Sequence, residues 1–345
     1  MENFNSTEWI PGLPVEMGLE CLIRIPYPAH QVASGVCRKW RELLQCPEFY
    51  NHRRRLGYTC KVVCLIQVLP PESLPDESKP RGSPRYGVTV FDPVSRSWER
   101  IAPPPRFSSG LPLFCRLAGC EGKLVVMGGW DPQSYDPVSD VFVYDFTAGE
   151  WHAGAPMPSK RSFFAAAGVG GRVYVAGGHD EGKNAMRSAW AYDPRGDEWA
   201  ELPQLSQERD ECEGLTVAAD GGGEFWAVSG YATERQGAFE ASAEVYVPGA
   251  AEWRRVDHAW EPSKCPRSCV AVTRDGRLVN LAESSSGVRI GACGVTLGEL
   301  TLLTGSEYQG GPQRLYFGGQ DGKFEKMSMP EDFSGFVQSG CCVEI

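Results

Sequence analysis

The sequence predicts a mainly β fold, a β-propeller preceded by a small all-α domain, and three observations carry that prediction. A unit of apolar strand, double glycine, aromatic-led turn and closing tryptophan recurs about every fifty residues. Between these landmarks the chain reads as short alternating or wholly apolar runs bounded by Gly, Asp and Pro turns, which is the signature of strands. The first 55 residues have none of this and instead repeat their apolar residues at helical spacing.

The repeat is plain on direct comparison. "KLVVMGGWD" (123–131) is echoed by "RVYVAGGHD" (172–180) and more loosely by "EFWAVSGYA" (224–232). Each is followed by "VFVYDFTAGEW", "AWAYDPRGDEW" or "AEVYVPGAAEW", and "VTVFDPVSRSW" supplies a further copy upstream. The aromatic before the turn and the closing Trp are seven apart every time: Phe91 and Trp98, Tyr144 and Trp151, Tyr192 and Trp199, Tyr246 and Trp253. A unit of this length cannot cover both of its own faces, so copies must stack, and closing the stack into a ring protects the sheet edges. The glycines let backbones pass closely, while Tyr and Trp fill the wedge between blades.

In order along the chain, "RIGACGVTLGEL" (289–300) fits a fifth, degenerate unit that aligns "GEL" with the "GEW" of Trp151 and puts Leu300 at the tryptophan position. Beyond it, "QRLYFGGQDGKF" keeps only a double glycine. The reading is therefore five or six blades, six preferred. Closure is expected from "FVQSGCCVEI" at the end, completing the blade begun at "CKVVCLIQVL", with the Pro-rich "PPESLPDESKPRGSP" between as an exposed loop. The domains are set at 8–55 and 60–345.

Composition narrows the function. The net charge is −10, and the propeller region after residue 60 holds 27 basic against 38 acidic residues, a surface that repels phosphate backbones and excludes nucleic acid as its partner. No apolar run approaches the length of a membrane span, and the amino end lacks a signal-like apolar segment, so no membrane partner is expected and the prediction is an intracellular protein, cytoplasmic and/or nuclear. Thirteen cysteines are then expected as reduced thiols, many of them buried as small hydrophobes. Their spacings lack a second Cys or His pair at finger-like distance, so neither a metal nor a cofactor is expected.

In the first segment, Met17, Leu19, Leu22, Ile23 and Ile25 make one apolar stripe, and Val32, Val36, Trp40, Leu43 and Leu44 a second. Pro14 falls in the first turn and Pro26, Pro28 and Pro47 mark breaks, which predicts three or four short helices. The bland reading of these helices is a cap on the propeller.

The Gly-Gly, Tyr-Asp and Trp order resembles the kelch repeat. Leu-Pro, an acidic residue, paired aliphatics and then Val-Cys-Arg-x-Trp-Arg resemble the F-box over about 40 residues. In that family the helices dock on a Skp-type adaptor, which joins a cullin and a RING protein into a ubiquitin ligase. Carried over by position, the resemblance implies Leu13, Pro14, Leu22, Ile23, Val36, Cys37 and Trp40 as the adaptor-facing or domain-forming set. Helices followed by kelch units resemble the plant F-box/kelch-repeat proteins. The stretches "VMGGWDP", "PSKRSFFAAAG", "AGGHDE" and "SQERDECEGL" are similar to the group that targets phenylalanine ammonia-lyase and, in some members, cytokinin response regulators. The resemblance thus implies a substrate-recognition subunit with no catalytic residue, whose partners are the adaptor and a protein target of that kind.

Blade geometry locates the target surface. In an antiparallel blade the start of the first strand and the end of the second share one face of the ring. The residues after the glycines (Trp130, Asp131, His179, Asp180, Tyr231) and those opening the units (Arg161, Arg209 with Asp210 and Glu211, Arg267) are therefore expected on one rim, and aromatics and arginines are frequent interface anchors. His179 beside Asp180 invites a catalytic or metal reading, but the pair occupies the slot of Trp130 and Asp131, and the sequence shows no nucleophile or ligand triad with it. A propeller oxidase such as galactose oxidase needs copper on Tyr, His and a cross-linked Cys. Five histidines, none grouped at repeat-equivalent positions, argue against it. A scaffold that binds without directing degradation is the other alternative.

Overall fold

The computed structural model describes residues 8–70, 84–219, 222–273, 276–283, 287–319 and 323–345. The expected Pro-rich loop lies almost wholly outside these residues. Four short helices come first: α1 (Val15–Ile23), α2 (His30–Val36), α3 (Arg38–Leu44) and α4 (Pro47–Arg55). Pro14 stands at the N-cap of α1 and Pro47 opens α4, where a missing N–H costs nothing. Leu22, Ile23, Ala33, Leu43, Leu44 and Phe49 close a small core. Arg53 is buried against it, its guanidinium donating to the carbonyls of Ile23, Ile25 and Tyr58 and so satisfying the end of α1.

The sheets follow. Blade 1 contains β1 (Lys61–Val68), β2 (Tyr86–Asp92) and β3 (Ser97–Ile101). Blade 2 contains β4 (Arg116–Cys120), β5 (Lys123–Met127), β6 (Val141–Asp145) and β7 (Glu150–Gly154), and blade 3 contains β8 (Ala165–Val169), β9 (Arg172–Ala176), β10 (Ala189–Asp193) and β11 (Glu198–Leu202). Blade 4 runs through β12 (Glu213–Ala219), β13 (Gly222–Val228), β14 (Ala243–Val247) and β15 (Glu252–Val256). A two-stranded sheet, β16 (Val270–Val272) with β17 (Leu278–Asn280), precedes blade 5, made of β18 (Ile290–Leu297), β19 (Leu300–Ser306), β20 (Arg314–Gly319) and β21 (Phe324–Met327). Finally β22 (Val337–Glu344) pairs antiparallel with β1, Val62 opposite Val343 and Cys64 opposite Cys341, and completes blade 1 as its innermost strand. The ring therefore closes as the sequence predicts, through its last strand.

Among the described residues the ring has five four-stranded blades, with the two-stranded sheet between blades 4 and 5 in place of a full sixth blade. The alignment of "GEL" with "GEW" is corrected. The Gly298–Glu299 turn joins β18 to β19, and β18 is the inner strand of blade 5, packed on β22. Leu300 therefore begins a second strand and does not sit at an outer-strand tryptophan position.

Each signature residue has a defined place. The aromatic and the Trp are cross-strand partners in register, with ring centroids 4.5 Å apart in blade 1, 5.1 Å in blade 2, 4.9 Å in blade 3 and 5.3 Å in blade 4. Asp92, Asp145 and Asp193 cap the turns that follow, accepting the N–H of Val94, Thr147 and Arg195. The closing Trp also ties blades together: the indole N–H of Trp151 donates to the Ala102 carbonyl, that of Trp199 to Ala155 and that of Trp253 to Pro203, each in the preceding blade. The first glycine of the pair abuts the next blade. At Gly177 (φ 67°) a Cβ would lie 2.5 Å from the Arg209 carbonyl oxygen. Six of the cysteines, Cys64, Cys115, Cys120, Cys212, Cys269 and Cys293, are buried in the ring and its seams.

The helices pack on one face of this ring. Tyr50 donates to the Glu344 carbonyl, Arg54 pairs with the Glu344 carboxylate, and Tyr27 meets Phe146 edge-on at 6.3 Å. Glu344 ends β22 and Phe146 follows β6, so these contacts lie at the strand ends opposite the double glycines.

Candidate functional site

The open face is built from a repeated corner. Just after the glycine turn of blades 2, 3 and 4, one residue forms an isolated bridge with the chain entering the inner strand of the same blade: Trp130 with Leu113, His179 with Ser162, Tyr231 with Asp210. Two residues before β4, β8, β12 and β16 the backbone turns left-handed, at Phe114 (φ 59°), Phe163 (φ 56°), Glu211 (φ 51°) and Ser268 (φ 56°). Left-handed backbone costs a bulky residue roughly 1–2 kcal/mol, so four equivalent outliers mark an imposed geometry, and such strain gathers at functional sites. These positions surround the mouth of the ring.

The mouth has an aromatic side and a charged side. Phe114 lies 4.7 Å from Phe163 and 5.3 Å from Trp130, and Phe163 stacks on His179 at 5.3 Å. The Arg267 guanidinium lies 4.9 Å over the Phe163 ring and 3.9 Å from the Glu211 carboxylate, which also accepts the Tyr231 hydroxyl. Deeper in, Arg116 of blade 2 reaches across to Glu213 of blade 4 at 3.1 Å, with both side chains largely buried, and the N–H of Ser268 donates to the same carboxylate.

The expected rim residues divide. Trp130, Asp131, Asp180, Glu211 and Arg267 are half-buried and reach the face. His179 and Tyr231 are 7% and 5% exposed and serve the corner more than the surface.

Arg161 and Arg209 do not belong to a target-contacting set, because both are fully buried. Arg161 donates to the carbonyls of Gly177 and Ser188 and to the Ser188 hydroxyl; Arg209 makes the matching bonds to Ser229, Ser242 and the Ser242 hydroxyl. Both clamp the glycine turn of their own blade, Gly177–Gly178 in blade 3 and Ser229–Gly230 in blade 4. Arg209 is also paired with buried Glu244 at 3.0 Å, whereas burial pulls the Arg161 guanidinium, with no carboxylate partner in that place, down to about 10. The physical reason for the correction is register. Arg161 and Arg209 sit two residues before the left-handed corner, where the side chain turns inward; Arg267 sits one before it, where the side chain lies at the mouth.

A second correction concerns His179. Asp180 turns away and caps its own loop through the N–H groups of Gly182 and Asn184. A nucleophile and a different carboxylate do converge on the imidazole: Ser162 Oγ lies 2.8 Å from Nε2, and both oxygens of Asp210 lie 2.9 Å from Nδ1. These partners stand 17 and 31 residues away and come from adjoining corners, so adjacency in sequence pointed to the wrong acid. Asp210 is among the expected rim residues; the repeat offset from Arg161 and Arg209 was the signal that could have found Ser162 and Phe163 as well. Among the described residues no three His, Cys, Asp or Glu side chains gather as a metal-binding set.

In the helical unit, Leu22 and Ile23 are core, Leu13 and Trp40 are half-buried, and Pro14, Val36 and Cys37 are exposed. Trp40 donates its indole N–H to the Trp9 carbonyl. Met17 and Val32, 56% and 76% exposed, join Val36 at 61% as large apolar side chains facing solvent on α1 and α2. An apolar display of this kind on a small helical unit marks an interaction surface.

The KLHDC2/KLHL20/DRC7 Kelch-repeats domain matches residues 77–280. The chain is 42% identical to the F-box/kelch-repeat protein At2g44130 of Arabidopsis thaliana over 76% of its own length and 69% of that protein. It is 40% identical to the F-box/kelch-repeat protein SKIP20 of the same plant, over 76% and 70%. A third Arabidopsis protein, F-box/kelch-repeat protein At1g15670, aligns at 33% over 98% of this chain and its own full length.

Proposed function

Because the chain belongs to the F-box/kelch-repeat proteins, we propose that it is the substrate-recognition subunit of an SCF-type cullin ubiquitin ligase, acting in the cytoplasm and/or nucleus. The helical unit binds a Skp-type adaptor and, through it, a cullin and a RING protein. The mouth of the ring binds the protein to be ubiquitinated. The observation that carries this reading is the division of surfaces: exposed Pro14, Met17, Val32 and Val36 lie on a unit docked to one face of the ring, and the aromatic, Arg-bearing mouth opens on the other. Holding target and ubiquitin donor in one assembly replaces a bimolecular encounter by a local one, and this role asks no chemistry of the chain itself. Phenylalanine ammonia-lyase or a cytokinin response regulator is the proposed target, supported by the sequence resemblance alone.

The test is affinity purification from plant extract with the intact chain, the Met17→Glu/Val36→Glu variant and Arg267→Ala. Adaptor and cullin should accompany the wild type and Arg267→Ala and be lost from the charged variant. The target should accompany the wild type and the charged variant and be depleted with Arg267→Ala. Equal adaptor recovery with the charged variant overturns the docking assignment, and unchanged target recovery with Arg267→Ala overturns the mouth assignment.

A further inference from the structure

The corner of blade 3 carries an arrangement that binding a target does not require. Asp210, as a carboxylate, is acceptor-only, so the proton of a neutral His179 resides on Nδ1 and donates to it. Nε2 is then an acceptor, and the 2.8 Å bond from Ser162 runs from its hydroxyl to the imidazole. The indole N–H of Trp130 donates to the same Ser162 oxygen at 3.0 Å, which leaves the hydroxyl proton to the histidine. Nucleophile, base and orienting acid thus stand within hydrogen-bond reach in the required sequence of roles. The next residue adds a further requirement. Phe163 is left-handed at φ 56°, and its backbone N–H has no hydrogen bond among the described residues. The N–H directly after a nucleophile on a strained turn is a place where an oxyanion is held.

We propose that Ser162 is a base-activated nucleophile, with His179 as its general base and Asp210 as the positioning carboxylate, and that the mouth reacts with acyl or phosphoryl electrophiles in the manner of a serine hydrolase. The equivalent slots in the neighbouring blades hold Leu113 with Trp130 and Asp210 with Tyr231, so hydroxyl and imidazole meet only at this one of the three bridged corners. Toward an ester, Ser162 Oγ bonds to the carbonyl carbon as its proton passes to Nε2. The bond to the leaving alcohol breaks and the alcohol takes that proton. Water, deprotonated by Nε2, then cleaves the acyl-serine, releasing the acid and restoring the hydroxyl. Ser162 is fully buried and half-buried Trp130 is bonded to it, so entry requires the indole to swing aside.

The intact chain treated with a biotinylated fluorophosphonate, followed by peptide mapping, tests this directly. Fluoride leaves as the phosphonyl group bonds to Oγ. One adduct is expected, at Ser162, absent from Ser162→Ala and from heat-denatured protein. His179→Gln and Asp210→Asn, shown folded by circular dichroism, should label at least about ten-fold more slowly. Asp210→Asn should also change the pH–rate profile of labelling, which a role in packing alone does not do. Trp130→Phe, lacking the indole N–H, should label faster. Absence of an adduct on both folded wild type and folded Trp130→Phe overturns the proposal, as does an adduct at another residue or an unaltered rate in His179→Gln. The adaptor and target assays above read out different residues, so the two readings stand or fall separately.

Discussion

On the side of the ring formed by blades 2 to 4, every seam is closed by the same device: a Trp indole N–H given to a carbonyl of the preceding blade. Blades 3 and 4 add a buried arginine that clamps the glycine turn, Gly177–Gly178 in one and Ser229–Gly230 in the other. On the other side, the two-stranded sheet and blade 5 use ordinary apolar packing around Trp260, Val270, Leu281, Val288 and Tyr316. Trp98 of blade 1 packs on Phe333 of the closing segment instead. The two sides form one ring by different means, which shows that the repeat signature encodes seams more than strands. Strands form without it wherever apolar alternation suffices.

The largest test of this contrast is Arg209→Ala. It strands Glu244 as an unpaired buried charge and should cost about 3–5 kcal/mol in chemical denaturation. Arg161→Ala, with no carboxylate to orphan, should cost clearly less; equal costs would show that the carbonyl clamp matters and the ion pair does not. Next is acid, which is read in the helical unit. Burial, with the Arg53 charge, pulls the His30 imidazole down to about 4; its Nε2–H donates to the Ile25 carbonyl and its buried Nδ1 has no partner. Since the folded value lies below the ordinary one near 6.5, the unfolded chain takes up the proton first. Stability is full above about pH 6.5 and is lost toward pH 4, by about 3 kcal/mol. The helical unit should therefore loosen before the ring, read by histidine and tryptophan NMR signals across that range, and His30→Gln should flatten the dependence.

Smaller again is Trp199→Phe, which removes one indole donor from the Ala155 carbonyl and should cost about 1 kcal/mol. Smallest is Leu300→Trp. At 42% exposure on a second strand, a tryptophan there has no seam to close and should change stability by less than about 0.5 kcal/mol. A clear stabilisation would restore the alignment that puts Leu300 at a tryptophan position.

Much of the architecture was legible because the constraints that set it are local. The seven-residue spacing of Tyr192 and Trp199 is a hairpin in register, and the double glycine is a close approach. The closing strand was legible too, since a lone apolar run at the end has one free edge to join. The irregular side was misaligned because the Gly-Glu pair recurs in a different setting: Gly298–Glu299 is a two-residue turn between β18 and β19, whereas Gly149 closes a four-residue turn and Glu150 opens an outer strand. At the site, residue type was informative and register was not. Arg161 and Arg267 differ by one position relative to the left-handed corner, and that one position separates a buried clamp from a side chain at the mouth. Ser162 meets His179 across a bridge inside blade 3 and Asp210 reaches it from the adjoining blade, so the contacts are set by the offset between repeats and not by adjacency in sequence.

The pairing of β22 with β1 bears on how the protein is made. Until residues 337–344 leave the ribosome, the Lys61–Val68 strand emerges with one edge unfilled, an open template for pairing with other chains. Synthesis of the intervening residues, at about 5–20 residues per second, leaves that edge waiting for roughly 14–55 s. Nascent chains truncated before residue 337 should therefore be held by chaperones far more than full-length ones, and co-translational quality control becomes part of this protein's abundance.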